Sequence, residues 1–359
     1  MRVKAAVLRQ IGLPPPYAAS KPLDIAELDL EPPGRGELLV KIKAAGLCHS
    51  DLSVIDGSRP RPTPMALGHE AAGVVEALGE GVTDLKAGDH VVLVFVPSCG
   101  RCGPCVSGRP ALCEPGARAN AAGTLLSGER RLSFRAEPIN HLLGVSASAT
   151  HAVVARESCV KIDPDLPLEL AALFGCAVLT GVGAVVNTAK VEPGQSVAVV
   201  GLGGVGLSVV LGARLAGARQ IVASDLSDDK LAFAAKLGAT HTVNAGSADT
   251  ASEIKRISGG GVDIAFEMAG AEQGDHARYV ALGSRRPDIG AFQGPFLGDQ
   301  RERPETHALV RMGQAGGHGH APSGGRRIGE FERWNRAGHF EGDVDAAAGD
   351  AFDLARCVG

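Results

Sequence analysis

A run of four cysteines within fifteen residues constrains this chain more than any other feature. The segment CGRCGPCVSGRPALC places thiols at Cys99, Cys102, Cys105 and Cys113. The first three cysteines are separated by two residues each, which lets their thiolates bind a common metal ion. The seven residues before Cys113 let the chain return so that its thiolate can bind the same ion. Four thiolates in a tetrahedron suit Zn²⁺, with Zn–S distances near ~2.3 Å. Because such a set has no open position, we interpret residues 99–113 as a lobe held by structural zinc. The alternative is two disulfides.

Three further side chains that bind metals are widely separated in the sequence. Cys48 lies in AAGLCHSD, His69 in MALGHEAAG and Cys176 in LFGCAVLTG, each near small residues that let the backbone come close. A Cys₂His set with a bound water is the open, catalytic type of zinc site. Spacing alone does not bring these residues together, and each is equally well explained as a packing residue. Cys159 and Cys357 have no partner pattern, and we interpret them as packing or incidental thiols.

Length, charge and hydropathy narrow the class of protein. The 359 residues suffice for two domains with their own cores, and the formal charge of −4 is mild. No basic stripe with interleaved aromatic residues indicates nucleic-acid binding, and no apolar run has the length of a membrane span. The segment MRVKAAVLRQIG has neither a long apolar core nor a cleavage signal. We therefore expect a cytoplasmic protein with reduced thiols, in which cysteine clusters bind metal.

The chain changes character after its first half. Residues 1–165 are predicted to be mainly β-strand, because runs such as LLVKIKAAG and DHVVLVFV are short, β-branched and bounded by Gly, Asp and Pro. From Pro167 to Ala189 the composition becomes helical. Strand-like runs such as SVAVV and QIVASD then alternate with helical runs of about ten residues. This alternation predicts an α/β domain with a doubly wound parallel sheet.

A glycine-rich turn stands between the first of these strands and its helix. Gly201, Gly203, Gly204 and Gly206 lie in GLGGVG, which fits G-x-G-x-x-G in the required strand–turn–helix context. The glycines permit a tight turn, close approach to a pyrophosphate and close packing of helix on strand.

An acidic residue follows at the end of the second strand. Asp225 comes 24 residues after Gly201, where a carboxylate binds ribose hydroxyls and repels a 2′-phosphate, so we expect NAD rather than NADP. Lys230 is placed to reach the same ribose. The alternative role for Asp225 is a helix N-cap, for which Ser227 is the better candidate.

The last ninety or so residues depart from this pattern. Residues 271–359 contain no lysine, although the first 270 contain ten, and Gly, Arg, His and Ala dominate. The expected continuation of strands and helices is absent, so we predict an incomplete sheet after residue 270 and an irregular tail over 301–359. A flexible tail and a product of a shifted reading frame both explain the composition, and we favour the second.

The motifs together resemble the zinc-dependent medium-chain alcohol dehydrogenase family. GHEAAG, the four-cysteine lobe, GCAVLTG and GLGGVG occur in the family's order and spacing, and the resemblance covers residues 1–270. It is greatest to the long-loop branch with primary-alcohol, aryl-alcohol and thiol-dependent formaldehyde dehydrogenases. The resemblance implies a GroES-like catalytic domain over 1–165 and a Rossmann domain over 166–300. It also implies a homo-oligomer, but the segment that forms the family's interface is not recognisable here.

The resemblance also assigns roles to residues. Cys48, His69 and Cys176 match the catalytic zinc ligands, so two zinc ions per subunit are expected. Glu70 matches an acid behind the metal, and Asp51 a carboxylate that orients the ligand histidine. Ser50 matches the hydroxyl that accepts the substrate proton, and His49 a base near the cofactor pyrophosphate. Phe95 matches a residue of the alcohol pocket. The nicotinamide contacts are matched by Thr180 and Val205.

The expected reaction is the reversible, NAD-linked oxidation of a primary alcohol to an aldehyde. Within the family, a thiol-dependent formaldehyde dehydrogenase is the main alternative. A protein that binds zinc and NAD without turnover is another, because the tail departs from the family. A zinc deaminase would need H-x-E and P-C-x-x-C, whereas Glu70 follows His69 directly.

Overall fold

The computed structural model describes residues 1–246, 249–269 and 309–311. The described residues fall into two compact units, which divide after Cys176. The sequence places the division after residue 165. The difference arises because the short helices between 168 and 175 pack on strands of the first unit, although their composition resembles that of the helices that follow.

Between residues 1 and 176, the first unit contains ten strands. They are β1 (Arg2–Leu8), β2 (Leu23–Leu30), β3 (Glu37–Ala45), β4 (Met65–Ala66), β5 (Ala71–Leu78), β6 (His90–Leu93), β7 (Leu132–Phe134), β8 (Glu137–His141), β9 (His151–Ala155) and β10 (Cys159–Lys161). Five of them close a barrel in the order β1-β2-β7-β8-β4, and the others form a sheet in the order β10-β6-β5-β3-β9. The predicted β-rich character of this part is confirmed.

Alternation of apolar side chains explains the barrel. Val3, Ala5 and Val7 of β1 are buried while Arg2 and Lys4 are exposed. A period of two places successive side chains on opposite faces, so one face of each strand contributes to a common core. That core also includes Leu28, Leu30, Leu132, Ile139 and Val153.

Short helices connect the strands of the first unit. They are α1 (Tyr17–Ser20), α2 (His49–Ile55), α3 (Gly103–Val106), α4 (Glu114–Ala122) and α5 (Leu168–Ala171), with 3₁₀ turns at Pro110–Leu112, Arg156–Ser158 and Ala172–Gly175. α2 joins β3 to β4, and α3 lies within the cysteine-rich lobe. These connections, rather than the strands, carry most of the candidate functional residues.

The second unit is a parallel sheet with intervening helices. Its elements are α6 (Ala177–Gly183), a π-helical turn (Ala184–Ala189), β11 (Ser196–Val200), α7 (Gly204–Leu215), β12 (Gln220–Asp225), α8 (Asp228–Leu237), β13 (His241–Asn244), α9 (Thr250–Ser258), β14 (Ile264–Glu267) and β15 (Leu309–Arg311). The strand order is β13-β12-β11-β14-β15, and every pairing is parallel. All five residues of β11 are buried, as a parallel strand covered on both faces requires.

The strand β15 corrects one expectation about the tail. The sequence predicts no legible strand after residue 270, but Leu309–Arg311 pairs with β14 in the register Ala265↔Leu309. The run is three residues long, which is too short for a period of two to be recognised in a segment rich in Gly and Arg. The other predictions for 270–308 and 312–359, including irregular packing and a shifted reading frame, lie outside the described residues.

Within the described part of the chain, no single helix is both long and apolar enough to cross a membrane. One broken pair, Leu168–Gly175 with Ala177–Ala189, meets those criteria by length and composition alone.

Candidate functional site

The start of α2 organises the first group of candidate residues. Cys48 is the N-cap of this helix, and its Sγ accepts a long hydrogen bond from the backbone N–H of Ser50 at 3.5 Å. The carboxylate of Asp51 reaches back to accept a hydrogen bond from the backbone N–H of Cys48 at 3.2 Å. This reciprocal capping fixes the Cys48 side chain relative to the helix.

Asp51 also holds His69. Its carboxylate lies 3.3 Å from Nδ1 of His69 and accepts a hydrogen bond from the backbone N–H of Gly68 at 3.2 Å. Both side chains are almost fully buried. Burial alone would lower the pKa of His69, but the negative charge of Asp51 and its hydrogen bond raise that pKa well above the usual value. A proton held at Nδ1 by Asp51 leaves Nε2 free to bind a metal.

Cys176 completes a set of three donor atoms. Its Sγ lies 3.7 Å from Sγ of Cys48 and 3.5 Å from Nε2 of His69. In a tetrahedron with Zn–S of ~2.3 Å and Zn–N of ~2.0–2.1 Å, the S···S and S···N edges are about 3.8 and about 3.5 Å. The donor atoms therefore have the spacing of a tetrahedral zinc site.

A shared proton links the two thiols. The Cys176 thiol donates to Sγ of Cys48, which is the main reason that the pKa of Cys48 falls well below its usual value. The same hydrogen bond, followed by burial, raises the pKa of Cys176. Cys48 is thus favoured as the thiolate, the form that binds metal.

Glu70 lies close to these donors. A carboxylate oxygen of Glu70 lies within 4.8 Å of the Cys48, His69 and Cys176 donor atoms. The side chain is buried, and its Oε1 has no hydrogen-bond partner among the described residues. Burial, and then the charge of Cys48, raise the pKa of Glu70 to about 8. A buried polar atom without a partner is costly, which is the condition that a cation in this position would relieve.

The four cysteines of the lobe also converge. All four Sγ atoms lie within 4.8 Å of one another, and those of Cys102 and Cys105 are 3.4 Å apart. Sγ of Cys113 accepts hydrogen bonds from the backbone N–H groups of Cys99 and Gly116 at 3.2 and 3.4 Å. No disulfide occurs among the described residues, and all seven described cysteines are free thiols. The geometry fits a closed four-thiolate zinc site.

The glycine turn of the second unit forms a separate candidate site. Gly201 adopts a positive φ of 89°, and a Cβ at Gly206 would collide with the carbonyl oxygen of Gly201. A Cβ at Gly203, in contrast, would meet no atom within 4 Å among the described residues. The N-cap of α7 is Gly203 and provides no side-chain hydrogen bond, so the first N–H groups of this helix are available to an anion.

Asp225 lies at the end of β12 beside this turn. Its Oδ2 accepts a hydrogen bond from the backbone N–H of Leu202 at 2.7 Å, and its Oδ1 accepts one from Ser227 at 3.0 Å. The N-cap of α8 is Ser227, whose hydroxyl accepts from the backbone N–H of Lys230. Ser227 therefore has the capping role, and the carboxylate of Asp225 is fixed next to the glycine turn.

The remaining candidates are located on neighbouring elements. Ser50 is half-buried in the first turn of α2, and His49 before it is exposed. Phe95 is half-buried in the loop after β6. Thr180 lies on α6 next to Gly181, where a Cβ would meet the carbonyl oxygen of Val205 at 2.5 Å. The roles that the resemblance assigns to these residues remain predictions.

Two glycines that sequence reasoning missed shape the metal site. A Cβ at Gly46 would lie 2.8 Å from Oε1 of Glu70, so a larger residue there would displace that carboxylate. Gly68 has a φ of 93°, and a Cβ there would collide with the backbone nitrogen of Ser148. The signal was present, because each glycine stands within two residues of a proposed ligand, in AAGLC and LGHE.

Comparison with known proteins identifies the family. The chain matches the alcohol dehydrogenase GroES-like domain over residues 34–164 and the zinc-binding dehydrogenase domain over residues 204–281. An alcohol dehydrogenase zinc-binding domain protein from Burkholderia ambifaria is 37% identical, with 88% of this chain and 84% of that one covered and a TM-score of 0.75. Benzyl alcohol dehydrogenase from Acinetobacter calcoaceticus is 32% identical, with coverages of 94% and 90% and a TM-score of 0.74.

A third structure was solved with a nucleotide. This zinc-binding dehydrogenase from Sinorhizobium meliloti, bound to NADP, is 25% identical, with coverages of 93% and 82% and a TM-score of 0.65. The predicted family and fold class are confirmed by these matches and by the two units described above. The chain belongs to the zinc-dependent medium-chain alcohol dehydrogenase family and combines a GroES-like domain with a Rossmann-like α/β domain.

Proposed function

We propose that this protein catalyses the reversible, NAD-linked oxidation of a primary alcohol to an aldehyde. The observation that carries the proposal is the spacing of the Cys48, His69 and Cys176 donor atoms, which suits a tetrahedral zinc ion with one further position. Bound in such sites, Zn²⁺ supplies a Lewis acid and NAD⁺ a hydride acceptor. Every other part of the chemistry is assigned to the side chains of this chain.

Three residues would hold the metal and two would tune its environment. Cys48, His69 and Cys176 are the proposed ligands. Asp51 keeps the Nδ1 proton on His69, so that the imidazole presents Nε2 in its neutral form. Glu70 is the acid behind the site, held there by the space that Gly46 leaves.

Proton removal from the substrate is assigned to Ser50. Its hydroxyl lies in the first turn of α2, two residues after Cys48. We propose that Oγ of Ser50 accepts the proton of the alcohol and passes it on through water, ribose or the exposed His49. Phe95 is the proposed lining residue of the alcohol pocket. The reaction needs a reducing compartment, because both thiolate sets must stay unoxidised, and we propose the cytoplasm.

The choice of NAD is assigned to Asp225. Both oxygens of its carboxylate are fixed by backbone N–H groups next to the glycine turn, where a 2′-phosphate would meet a like charge. Gly203 leaves the space into which a pyrophosphate would fit, and α7 offers its N-terminus to that charge. Thr180 and Val205 are the proposed nicotinamide contacts, and Lys230 a second ribose contact.

The test is a panel of primary alcohols assayed for NADH formation with the zinc-loaded full chain. We expect turnover by the parent, and a loss of about 10²–10⁴-fold in kcat for Ser50→Ala with unchanged zinc content. Ser252→Ala, which deletes an exposed hydroxyl on α9, is the matched control. Turnover of formaldehyde only in the presence of an added thiol would favour the thiol-dependent alternative. Zinc and NAD binding with no turnover of any alcohol would contradict the proposal.

A further inference from the structure

Two arginines in the loop after α2 have no acidic partner in the described part of the chain. Arg59 and Arg61 are both half-buried, and neither forms an ion pair with a described residue. Of the five arginines that form ion pairs among the described residues, three are exposed and two, Arg131 and Arg156, are half-buried. The ion-paired arginines of the described residues are Arg2, Arg9, Arg131, Arg156 and Arg256. Arg59 and Arg61 lack the acidic partner that the half-buried Arg131 and Arg156 have, and burial makes a missing partner more costly.

The guanidinium of Arg61 is the more poorly satisfied of the two. Its Nε is buried and has no hydrogen-bond partner among the described residues. The guanidinium donates one long hydrogen bond within residues 1–246 and 249–269, from Nη1 to the carbonyl oxygen of Pro60 at 3.4 Å. Burial, and then the positive charge of Arg59, lower the pKa of Arg61, so the two like charges lie close enough to repel each other. Arginine does not release its proton in proteins, and an anion is what would relieve this arrangement.

The loop that carries the pair is fixed to α2. The backbone N–H of Arg59 donates to the carbonyl oxygen of Ser53 at 2.8 Å, and the hydroxyl of Ser58 donates to the same oxygen at 3.2 Å. Asp56 accepts a hydrogen bond from the backbone N–H of Ser58 at 2.8 Å. The other end of α2 begins at Cys48, and a helix of seven residues is about 10 Å long. The arginines thus lie in a loop that is hydrogen-bonded to the last turn of α2, and Cys48, a candidate metal ligand, lies at the opposite end of this helix.

We propose that Arg59 and Arg61 bind an oxyanion, a carboxylate or a phosphate, that the alcohol substrate carries away from its reacting hydroxyl. This inference rests on the proposed alcohol oxidation and names its substrate class. The planar fork of a guanidinium matches two oxygens of either group, and two guanidiniums on one loop would together provide the donors for a full set of charge-assisted hydrogen bonds.

Steady-state kinetics with matched alcohols test the inference. The substrates are benzyl alcohol, 4-(hydroxymethyl)benzoate and 4-(hydroxymethyl)phenyl phosphate, and the two anions distinguish a carboxylate from a phosphate site. We expect kcat/KM of the parent to favour one anionic alcohol over benzyl alcohol. Arg59→Gln and Arg61→Gln should each reduce that preference by about 10- to 100-fold through KM, with benzyl alcohol changed less than twofold. Arg2→Gln, on β1, removes the same charge elsewhere and should leave the preference unchanged.

Two kinetic outcomes would overturn the inference. One is a parent enzyme that oxidises benzyl alcohol as efficiently as both anionic alcohols. The other is a rise in KM for NAD, rather than for the alcohol, in the two arginine variants, because the pair would then bind the cofactor. Either outcome would leave the proposed alcohol oxidation standing.

Calorimetry provides a readout that does not depend on turnover. Binding of the two anionic alcohols to the zinc-loaded full chain is measured for the parent and for the double variant Arg59→Gln/Arg61→Gln, whose folding is checked by thermal unfolding. Binding that the double variant loses supports the inference even if no alcohol is oxidised, in which case the proposed function alone fails. Equal binding by parent and double variant contradicts the inference.

Discussion

The Asp51 carboxylate contacts His69 through Nδ1 and, at the same time, the backbone N–H groups of Cys48 and Gly68. One side chain therefore positions two proposed zinc ligands that are 21 residues apart in the sequence. An amide side chain at position 51 has only one acceptor oxygen for these three donor groups. Its NH₂ group would face at least one of them, donor against donor.

Asp51→Asn should therefore weaken zinc binding at the Cys₂His site. We expect a loss of about 10–100-fold in affinity, the usual effect of removing a carboxylate that orients a ligand histidine. Competition with a chromogenic chelator measures the affinity of each zinc ion in turn. Asp24→Asn, an exposed carboxylate on β2, is the matched control. Unchanged affinity in Asp51→Asn would mean that the hydrogen bonds seen here do not support the metal.

The chain should bind two zinc ions. Elemental analysis of the pure protein should give a stoichiometry near two for the parent and near one for Cys48→Ser and for Cys105→Ser, since each variant breaks one set. Cys159→Ala, which removes a buried thiol outside both sets, should retain two. A parent value near one that survives Cys48→Ser would refute the assignment of the Cys₂His site.

Gly203 and Gly206 of the glycine turn should respond differently to alanine. Gly206→Ala should lower the free energy of unfolding by about 1–3 kcal/mol, because its Cβ collides with the Gly201 carbonyl. Gly203→Ala should leave stability nearly unchanged and weaken NAD binding at least about tenfold, or ~1.4 kcal/mol, because its Cβ enters open space. Thermal unfolding and calorimetry measure the two quantities. Equal NAD affinity in Gly203→Ala would mean that the nucleotide does not approach this residue.

Replacing Asp225 should change the choice of nucleotide. Asp225→Ser removes the like charge that a 2′-phosphate would meet, and we expect the preference for NAD over NADP to relax by about 1–3 kcal/mol. NAD binding should weaken as well, because Leu202 and Ser227 lose an acceptor. The ratio of kcat/KM for the two nucleotides measures the effect, with the exposed Asp229→Ser as control. Equal use of NAD and NADP by the parent would count against the assignment.

A buried histidine away from the metal sites should make stability depend on pH. Burial, reinforced by Arg130 and Arg131, lowers the pKa of His141 from 6.5 to about 4. Between those two values the unfolded chain binds a proton that the folded chain does not, so the free energy of unfolding rises with pH through this window. Acidification from pH 7 to 4 should cost about 3 kcal/mol from this residue.

The variant His141→Gln isolates that contribution. Glutamine can still accept the hydrogen bond that the backbone N–H of Arg131 donates to Nε2 of His141 at 3.1 Å. The difference between parent and variant in denaturant unfolding removes the contributions that both share, including protonation of the thiolates. It should grow between pH 6.5 and pH 4 and be constant above pH 7. Parallel curves over the whole range would show that His141 titrates normally.

Local patterns predicted much of this molecule. The cysteine run and the glycine turn are contiguous, so their chemistry is encoded in neighbouring residues, and both are assembled as expected. The scattered set of Cys48, His69 and Cys176 could be grouped only through the family resemblance, because a contact across 128 residues leaves no local period.

Features that depend on tertiary packing were not predictable from patterns. The end of the first unit at Cys176 follows from how the 168–175 helices pack, which their alanine-rich composition does not show. β15 is too short to have a period, and the unpartnered Nε of Arg61 is visible only when every neighbour is in place. The sequence shows glycine at positions 46 and 68. The reason that a side chain is disfavoured there is the nearby atoms of Glu70 and Ser148, which only the structure reveals.

The seven proposed ligands of the two metal sites, together with Glu70, all belong to the first 176 residues. During synthesis, the complete set of ligands therefore leaves the ribosome before the nucleotide-binding sheet exists. Zinc at the Cys₂His site would tie Cys48 to Cys176 and close a large loop, and such a cross-link stabilises mainly by restricting the unfolded chain. Because the ligands precede the second unit along the chain, zinc binding can come before the folding of that unit and assist it.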